Sequence, residues 1–247
     1  MDYNLKSIKR GTDPQDNRWF SRESVLKLQK AQEEVSWLLD RNYKIHSIIE
    51  MVGNHYQFSL RQRNALQRST SSTMDGQKRN KKCLPFSCIS KDCIYIDGFN
   101  LIITLEVALS KGILILCSDT TIRDIAGLRG TYSIIDKTHL ALNLIGREFT
   151  DLHIPKVKFF LDSGVSNSGR LKSFILEHSI KWHIPASVEL IPNADPVLSK
   201  MDRIVTSDSA VLDKCLGWFN IARKIIEDYV PDANIINLSK NISSSDA

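Results

Sequence analysis

No stretch of the chain approaches the roughly 18 consecutive apolar residues that a membrane span needs. The longest apolar segments are short, such as Gly112 to Cys117, and the chain reads as one that does not enter a membrane. Glycine (11) and proline (7) are scarce among 247 residues, which excludes collagenous and low-complexity classes. Cysteine is also sparse, and five is an odd number. A chain of this length folds without cross-links, so reduced thiols are expected. Met1 to Asp16 is polar and lacks the apolar stretch of a secretory signal, and the expected location is cytoplasmic. Neither a Gly-x-Ser-x-Gly elbow nor a Walker-type loop is present, which leaves hydrolase-triad and P-loop chemistry without support. Cys83, Cys88 and Cys93 are regularly spaced but lack the close pairs of a structural zinc site.

What the chain does have is core: 42% of its residues are hydrophobic and 25% charged, enough for one or two globular domains. The net charge of +5 is unevenly spread. Residues 1–92 carry +7, and the remainder carries −2. Between Asn54 and Lys82 stand Arg61, Arg63, Arg68, Lys78, Arg79, Lys81 and Lys82 against Asp75 alone, a pattern that suits a polyanionic partner and equally a solvated surface.

Apolar residues at helical spacing predict an amphipathic helix over Ser24–Arg41 and a second over Ile45 to Val52, stopped by Gly53-Asn54. A third helix is predicted from an N-cap at Ser59 to Arg68. The last two resemble a helix-turn-helix or belong to a small bundle, so residues 1–68 are expected to form an all-helical domain. Residues 69–92 open on a polar run and read as a basic flexible linker. Beyond it, strand-like runs at Cys93–Ile96, Ile113–Cys117, Val157–Leu161, Val188–Ile191, Ile204–Val205 and Asn234–Leu238 alternate with helical patterns at Leu101–Ser110, Lys137–Glu148, Ser168–Glu177 and Ser209–Tyr229. That alternation predicts an α/β domain over residues 93–240 with a mainly parallel sheet and helices on both faces. Residues 241–247 read as a disordered tail. Trp182, Trp218 and the Phe159-Phe160 pair are assigned to core.

Several strands end in an acid: Asp97, Asp119, Asp162 and Asp208. Ligand sites of parallel sheets lie at the carboxyl ends of the strands, so such acids converge in space although distant in sequence. Clustered carboxylates need a neutralising cation, and oxygen ligands suit Mg²⁺ or Mn²⁺. Such a site would hydrolyse phosphodiesters. The ordinary alternative for each acid is helix capping, as at Asp208 before Ser209.

The run Ile96-Asp97-Gly98-Phe99-Asn100-Leu101-Ile102 resembles the opening strand of the PIN-like nucleases, especially their NYN branch. Phe160-Leu161-Asp162 is similar to that family's central strand, and Asn193-Ala194-Asp195 followed by Val205-Thr206-Ser207-Asp208 resembles its later helix start and strand. The resemblance spans residues 93 to 240 and implies a three-layer α/β/α PIN-like fold, a Mg²⁺ or Mn²⁺ site and cleavage of RNA. It also implies metal ligation or water activation by Asp97, Asp162, Asp195 and Asp208, and orientation of substrate by Asn100. The segment Ser118 to Tyr132 adds Asp119 and Asp124 as further acids, and Arg123 and Arg129 as phosphate holders or partners in a salt-bridged loop. Glu106, on the helix after Asp97, reads as an outer-shell acid of the site or, in preference, as part of a solvated face. Residues Leu38–Tyr43, Met51–Tyr56 and Leu60–Arg68 resemble a helical domain of unknown function found in archaeal and bacterial proteins. The expected function is that of a metal-dependent nuclease, RNA favoured as partner, with the basic residues Arg61 to Lys82 binding nucleic acid. The alternative is a non-catalytic RNA-binding or regulatory protein that keeps the fold.

Overall fold

Ser21 and Ser59 each accept a backbone N–H from three residues on, and so fix the starts of two long N-terminal helices. At Ser59 the cap is reciprocal: Gln62 reaches back to the Ser59 N–H at 3.0 Å. The computed structural model, which describes residues 8–127 and 130–238, opens with five helices. These are α1 (Asp16–Trp19), α2 (Arg22–Leu39), α3 (Ile45–His55), α4 (Leu60–Ser69) and α5 (Thr73–Lys81). The stop expected at Gly53-Asn54 falls later: α3 runs to His55, and the left-handed residue beyond it is Gln57, at φ 54°. Gly53 serves a different purpose. A Cβ there would stand 2.7 Å from the Arg63 guanidinium, which lies against it and donates to Phe58 O and Asn54 Oδ1.

The polar run expected as a flexible linker is the helix α5. Ser72 caps it, Asp75 sits in its first turn, and Lys78, Arg79 and Lys81 sit in its last, all favourable to the helix dipole. Both oxygens of Asp40, at the end of α2, accept hydrogen bonds from Thr73.

The α/β part continues with a 3₁₀ turn (Phe86–Lys91), β1 (Ile94–Asp97), α6 (Gly98–Leu109), β2 (Leu114–Leu116), β3 (Ile122–Asp124), α7 (Asp136–Asp151), β4 (Val157–Asp162) and α8 (Ser168–Ser179). It closes with β5 (Ala186–Ile191), α9 (Asp195–Leu198), β6 (Ile204–Val205), α10 (Ser209–Leu212), α11 (Ile221–Tyr229) and β7 (Ile235–Asn237). Its strands form two sheets rather than one. The larger is parallel throughout, in the order β5-β4-β1-β6. The smaller has the order β3-β2-β7, with β2 antiparallel to β3 and parallel to β7. The single helix expected over Ser209–Tyr229 is broken. Between α10 and α11 the chain extends along β6, where Trp218 bridges to both Ile204 and Cys83, and a Cβ on Gly217 would meet Asp202 at 2.2 Å.

Alternation along β2 ties the two halves together. Leu114 enters the main core with Ile94, Ile96, Phe149 and Phe159. Ile113 and Ile115 point the other way, into a second core with Leu28, Val35, Ile48 and Leu66 of the helices. The helical segment therefore lies on the small sheet, not at the end of a tether. As expected, Trp182, Trp218 and Phe159-Phe160 are buried. Glu106 corrects the expectation of a solvated face. It is fully buried, paired with Arg10 at 2.7 Å, and accepts from the Tyr132 and Thr138 hydroxyls.

Three buried charges join these parts. Arg79 on α5 grips both oxygens of Asp213 and donates to Asp119 at 2.8 Å. Asp119, fully buried, also pairs with Arg123 and accepts from the Thr121 hydroxyl. Burial pushes the Asp119 carboxyl up, but Arg123, Thr121 and Arg79 outweigh it and hold it below its ordinary range. Removing one partner of a buried pair strands the others and costs about 3–5 kcal/mol. Asp119→Ala is expected to lower the unfolding free energy by about 3 kcal/mol or more, measured by urea denaturation, whereas Lys78→Ala on the exposed side of α5 changes it by less than about 0.5 kcal/mol. A loss below about 1 kcal/mol for Asp119→Ala would remove the network from the stability argument.

Candidate functional site

The carboxyl ends of β1, β4 and β6 lie side by side in the parallel sheet, and each is followed by a residue run that turns a carboxylate into one cleft. This cleft, about 380 Å³, is lined by Asp97, Asn100, Asp162, Asp195 and Asp208, joined by Asp124 from β3. The capping and clustering readings of these acids both hold. Asp97 Oδ1 accepts the Asn100 N–H that starts α6, and Asp208 Oδ1 accepts the N–H groups of Ala210 and Val211. Asp162 Oδ1 accepts the Ala194 N–H at 2.7 Å. One oxygen of Asp162 and one of Asp208 are thereby fixed, and the other accepts no hydrogen bond from a described residue. Asp195 accepts no hydrogen bond from a described residue.

The Thr206-Ser207-Asp208 run wires the far wall to the first strand. The Thr206 hydroxyl donates to Asp97 Oδ2 at 2.9 Å and accepts the Asp208 N–H at 3.1 Å. The Ser207 N–H and hydroxyl both donate to Asn100 Oδ1, at 2.8 and 3.0 Å. With its oxygen so occupied, Asn100 presents its NH₂ donors as the group available to a ligand.

Burial first, then the charges of Asp208 and Asp195, push the Asp97 carboxyl up to about 7, against the pull of Thr206 and Asn100. Asp195 moves the same way, through partial desolvation and then Asp208 and Asp162. The acids therefore feel one another across the cleft. Among the described residues no three His, Cys, Asp or Glu side chains stand as a ready-made metal-binding group.

Other residues singled out by sequence fall elsewhere. Asp119 and Arg123 belong to the buried network and do not line the cleft; Arg123 donates to the carbonyls of Ser207 and Arg68, each at 2.5 Å. Arg129 lies outside the described residues. Arg61 is spent on Asp16 and on the Gly11 and Ile125 carbonyls, Arg63 on the end of α3, and Arg79 on Asp119 and Asp213. Lys82 donates to Asp213 O, and Lys78 and Lys81 stand on α5, away from the cleft lining. Of the seven basic residues only Arg68 lines the cleft, 3.9 Å from Asp124. Sequence reasoning missed its neighbours Asn64 and Gln67, and the apolar Phe99, Ile103 and Ile125. Asn64, Gln67 and Arg68 share a helix face at i, i+3 and i+4, a spacing that the predicted helix from Ser59 to Arg68 already contained.

Fold and cleft together define an α/β domain with a largely parallel sheet, flanked by helices, whose acid-lined cleft is walled on one side by an N-terminal helical segment. The chain belongs to the family described as domain of unknown function DUF5616, whose model matches residues 86–224. Residues 27–82 match the family described as protein of unknown function DUF434. The chain is similar to an uncharacterized protein of Methanocaldococcus jannaschii, 30% identical over 187 residues that cover 76% of this chain and 89% of that relative. No solved structure matches it.

The raised Asp97 carboxyl has a consequence for stability. Its native value near 7 exceeds the ordinary 3.8, so between about pH 4 and pH 7 the native state binds more protons than the unfolded one, and stability falls as pH rises through that window. Asp97→Asn removes this penalty. The variant is expected to match the wild type near pH 4 and to exceed it increasingly up to pH 7, by at most about 4 kcal/mol. Denaturant unfolding at several pH values checks this; a difference independent of pH would refute it.

Proposed function

We propose that the chain is a metal-dependent phosphodiester hydrolase, a ribonuclease of PIN-like type. The observation that carries the reading is the convergence of Asp97, Asp162, Asp195 and Asp208, from four separated sequence runs, on one cleft at the carboxyl ends of adjacent parallel strands. The order of the motifs along the chain and their places at strand ends and at the start of α9 agree with the nuclease resemblance.

The donor set suits a hard cation. It is all oxygen, it is mutually repulsive, and it contains unpaired carboxylate oxygens on Asp162, Asp195 and Asp208. Mg²⁺ is commonly held by one or two carboxylates with waters and substrate phosphates. Asp97 and Asp208, or Asp162 and Asp195, would hold it. When bound, such a cation supplies a water of lowered pKa and neutralises charge on the scissile phosphate. The chain's own residues do the rest. Asp97 is fixed in place by the Thr206 hydroxyl and the Asn100 N–H, and the Asn100 NH₂ orients a substrate oxygen. Arg68 offsets the negative charge of the incoming strand.

The absence of a ready-made ligand trio among the described residues favours one second reading, a non-catalytic RNA-binding or regulatory protein. The two part on one experiment. Cleavage of a labelled single-stranded RNA in Mn²⁺ should fall at least about a thousandfold on Asp97→Asn, the loss of on the order of 4 kcal/mol of transition-state stabilisation, and chelator should abolish it. Mn²⁺ should also raise the melting temperature of the wild type, as any ligand bound only by the folded state does. Equal turnover in the variant, or none in the wild type, would transfer the case to the binding reading.

A further inference from the structure

The cleft carries five aspartates and, among the described residues that line it, a single positive side chain, Arg68. That arginine belongs to the helical segment and not to the α/β domain. Its neighbours on the same face of α4, Asn64 and Gln67, line the same space and bring two neutral amides to it. A side-chain amide carries both donors and an acceptor, the complement that matches the edge of a nucleobase. Phe99, Ile103 and Ile125 add apolar surface against which a ring can lie. At about 380 Å³ the cleft has room for a nucleotide-sized unit and none for a duplex.

The two walls are held in register by one side chain. Arg123, buried in β3, donates from Nη1 to the carbonyl of Arg68 and from Nε to the carbonyl of Ser207, next to Asp208. The end of α4 and the end of β6 are thus pinned to the same planar guanidinium.

On these grounds we infer that α4 is the substrate-reading wall of the cleft, with Asn64 and Gln67 taking the edge of an unpaired base and Arg68 the adjoining phosphate of a single strand. This rests on the nuclease reading for its substrate class but not for its test. Because the segment shares a core with β2, the site exists only in the intact chain. The amides give it base preference; the lone arginine gives it affinity without preference.

The experiment is binding of short labelled homopolymers of U, A and C, as ribo- and deoxyribo-oligomers, to the full chain in chelator, where no cleavage occurs. The wild type should discriminate among bases. Asn64→Ala/Gln67→Ala should bring the dissociation constants to within about twofold of one another, and Gln67→Glu, of the same shape but without donors, should change the order of preference. Arg68→Ala should weaken all oligomers about tenfold alike and flatten the log-log salt slope by about 0.7. Asn64 is exposed and Gln67 and Arg68 are partly so; unchanged far-UV spectra and melting temperatures will show that the fold is kept. Wild-type ratios in the double variant, equal affinity for all bases in the wild type, or no binding at all would overturn the inference. A dead Asp97→Asn beside an unaltered base preference in the double variant would sink this wall and leave the nuclease. An active Asp97→Asn beside a lost preference would sink the nuclease and leave the wall.

Discussion

A carboxylate with no exposure to water, Asp119, sits between two guanidiniums, and the positions of everything around the cleft follow from that arrangement. Isolated, each of these charges would be too costly to bury. Together they satisfy one another and use their remaining donors on backbone carbonyls and on Asp213. The geometry matters more than the energy. Arg79 ties the last turn of α5 to the loop after β2 and to the end of α10, while Arg123 ties the end of α4 to the end of β6. A guanidinium is rigid and planar, so the carbonyls it holds cannot drift apart independently. The cleft has fixed walls because its walls share a hydrogen-bond donor.

Like charges in the cleft oppose this order. Burial first, and then the neighbouring carboxylates, raise the protonation of Asp97 and Asp195, and backbone N–H groups hold one oxygen each of Asp97, Asp162 and Asp208. Capping and clustering are therefore one device. The cap sets the direction of the side chain, and on Asp162 and Asp208 it leaves the second oxygen without a hydrogen bond from a described residue. Proteins do not assemble such a group for stability, since a hydrophobic or hydrogen-bonded alternative would cost less, and perturbed acids of this kind gather at functional sites.

What the sequence disclosed was what local physics decides. Ser59 and its box, the periodicity of α2, and the strand ends at Asp97, Asp162 and Asp208 depend on neighbours within a few residues and on the general rule that parallel strands bring their carboxyl ends together. What it concealed depends on distant partners. The run after Ser69 has no apolar period, and its helix is secured by Asp40, Asp119 and Asp213. Glu106 looks solvated on a helical wheel because Arg10 and Tyr132, which bury it, lie 96 and 26 residues away in sequence. The basic run looked like a footprint for a polyanion, yet three of its arginines are spent on internal acids and carbonyls. Cys215 to Phe219 reads as helix by composition, and only the approach of Gly217 to Asp202 shows that it must extend.

The alternation of β2 explains why the helical segment belongs to the site. Strand side chains alternate faces, so a strand with apolar residues on both faces must be covered on both. Leu114 satisfies the α/β core, and Ile113 with Ile115 would be left to water if α2, α3 and α4 were absent. Covering that face lays α4 against β2, with Arg68 at its end reached by Arg123 and Asp124 of β3, and β3 carries Asp124 to the cleft. The helix that hides Ile115 is consequently the helix that sets Asn64, Gln67 and Arg68 opposite the carboxylates. A hydrophobic requirement of Ile113 and Ile115, just before and in the middle of one short strand, thus decides which polar residues face the acids.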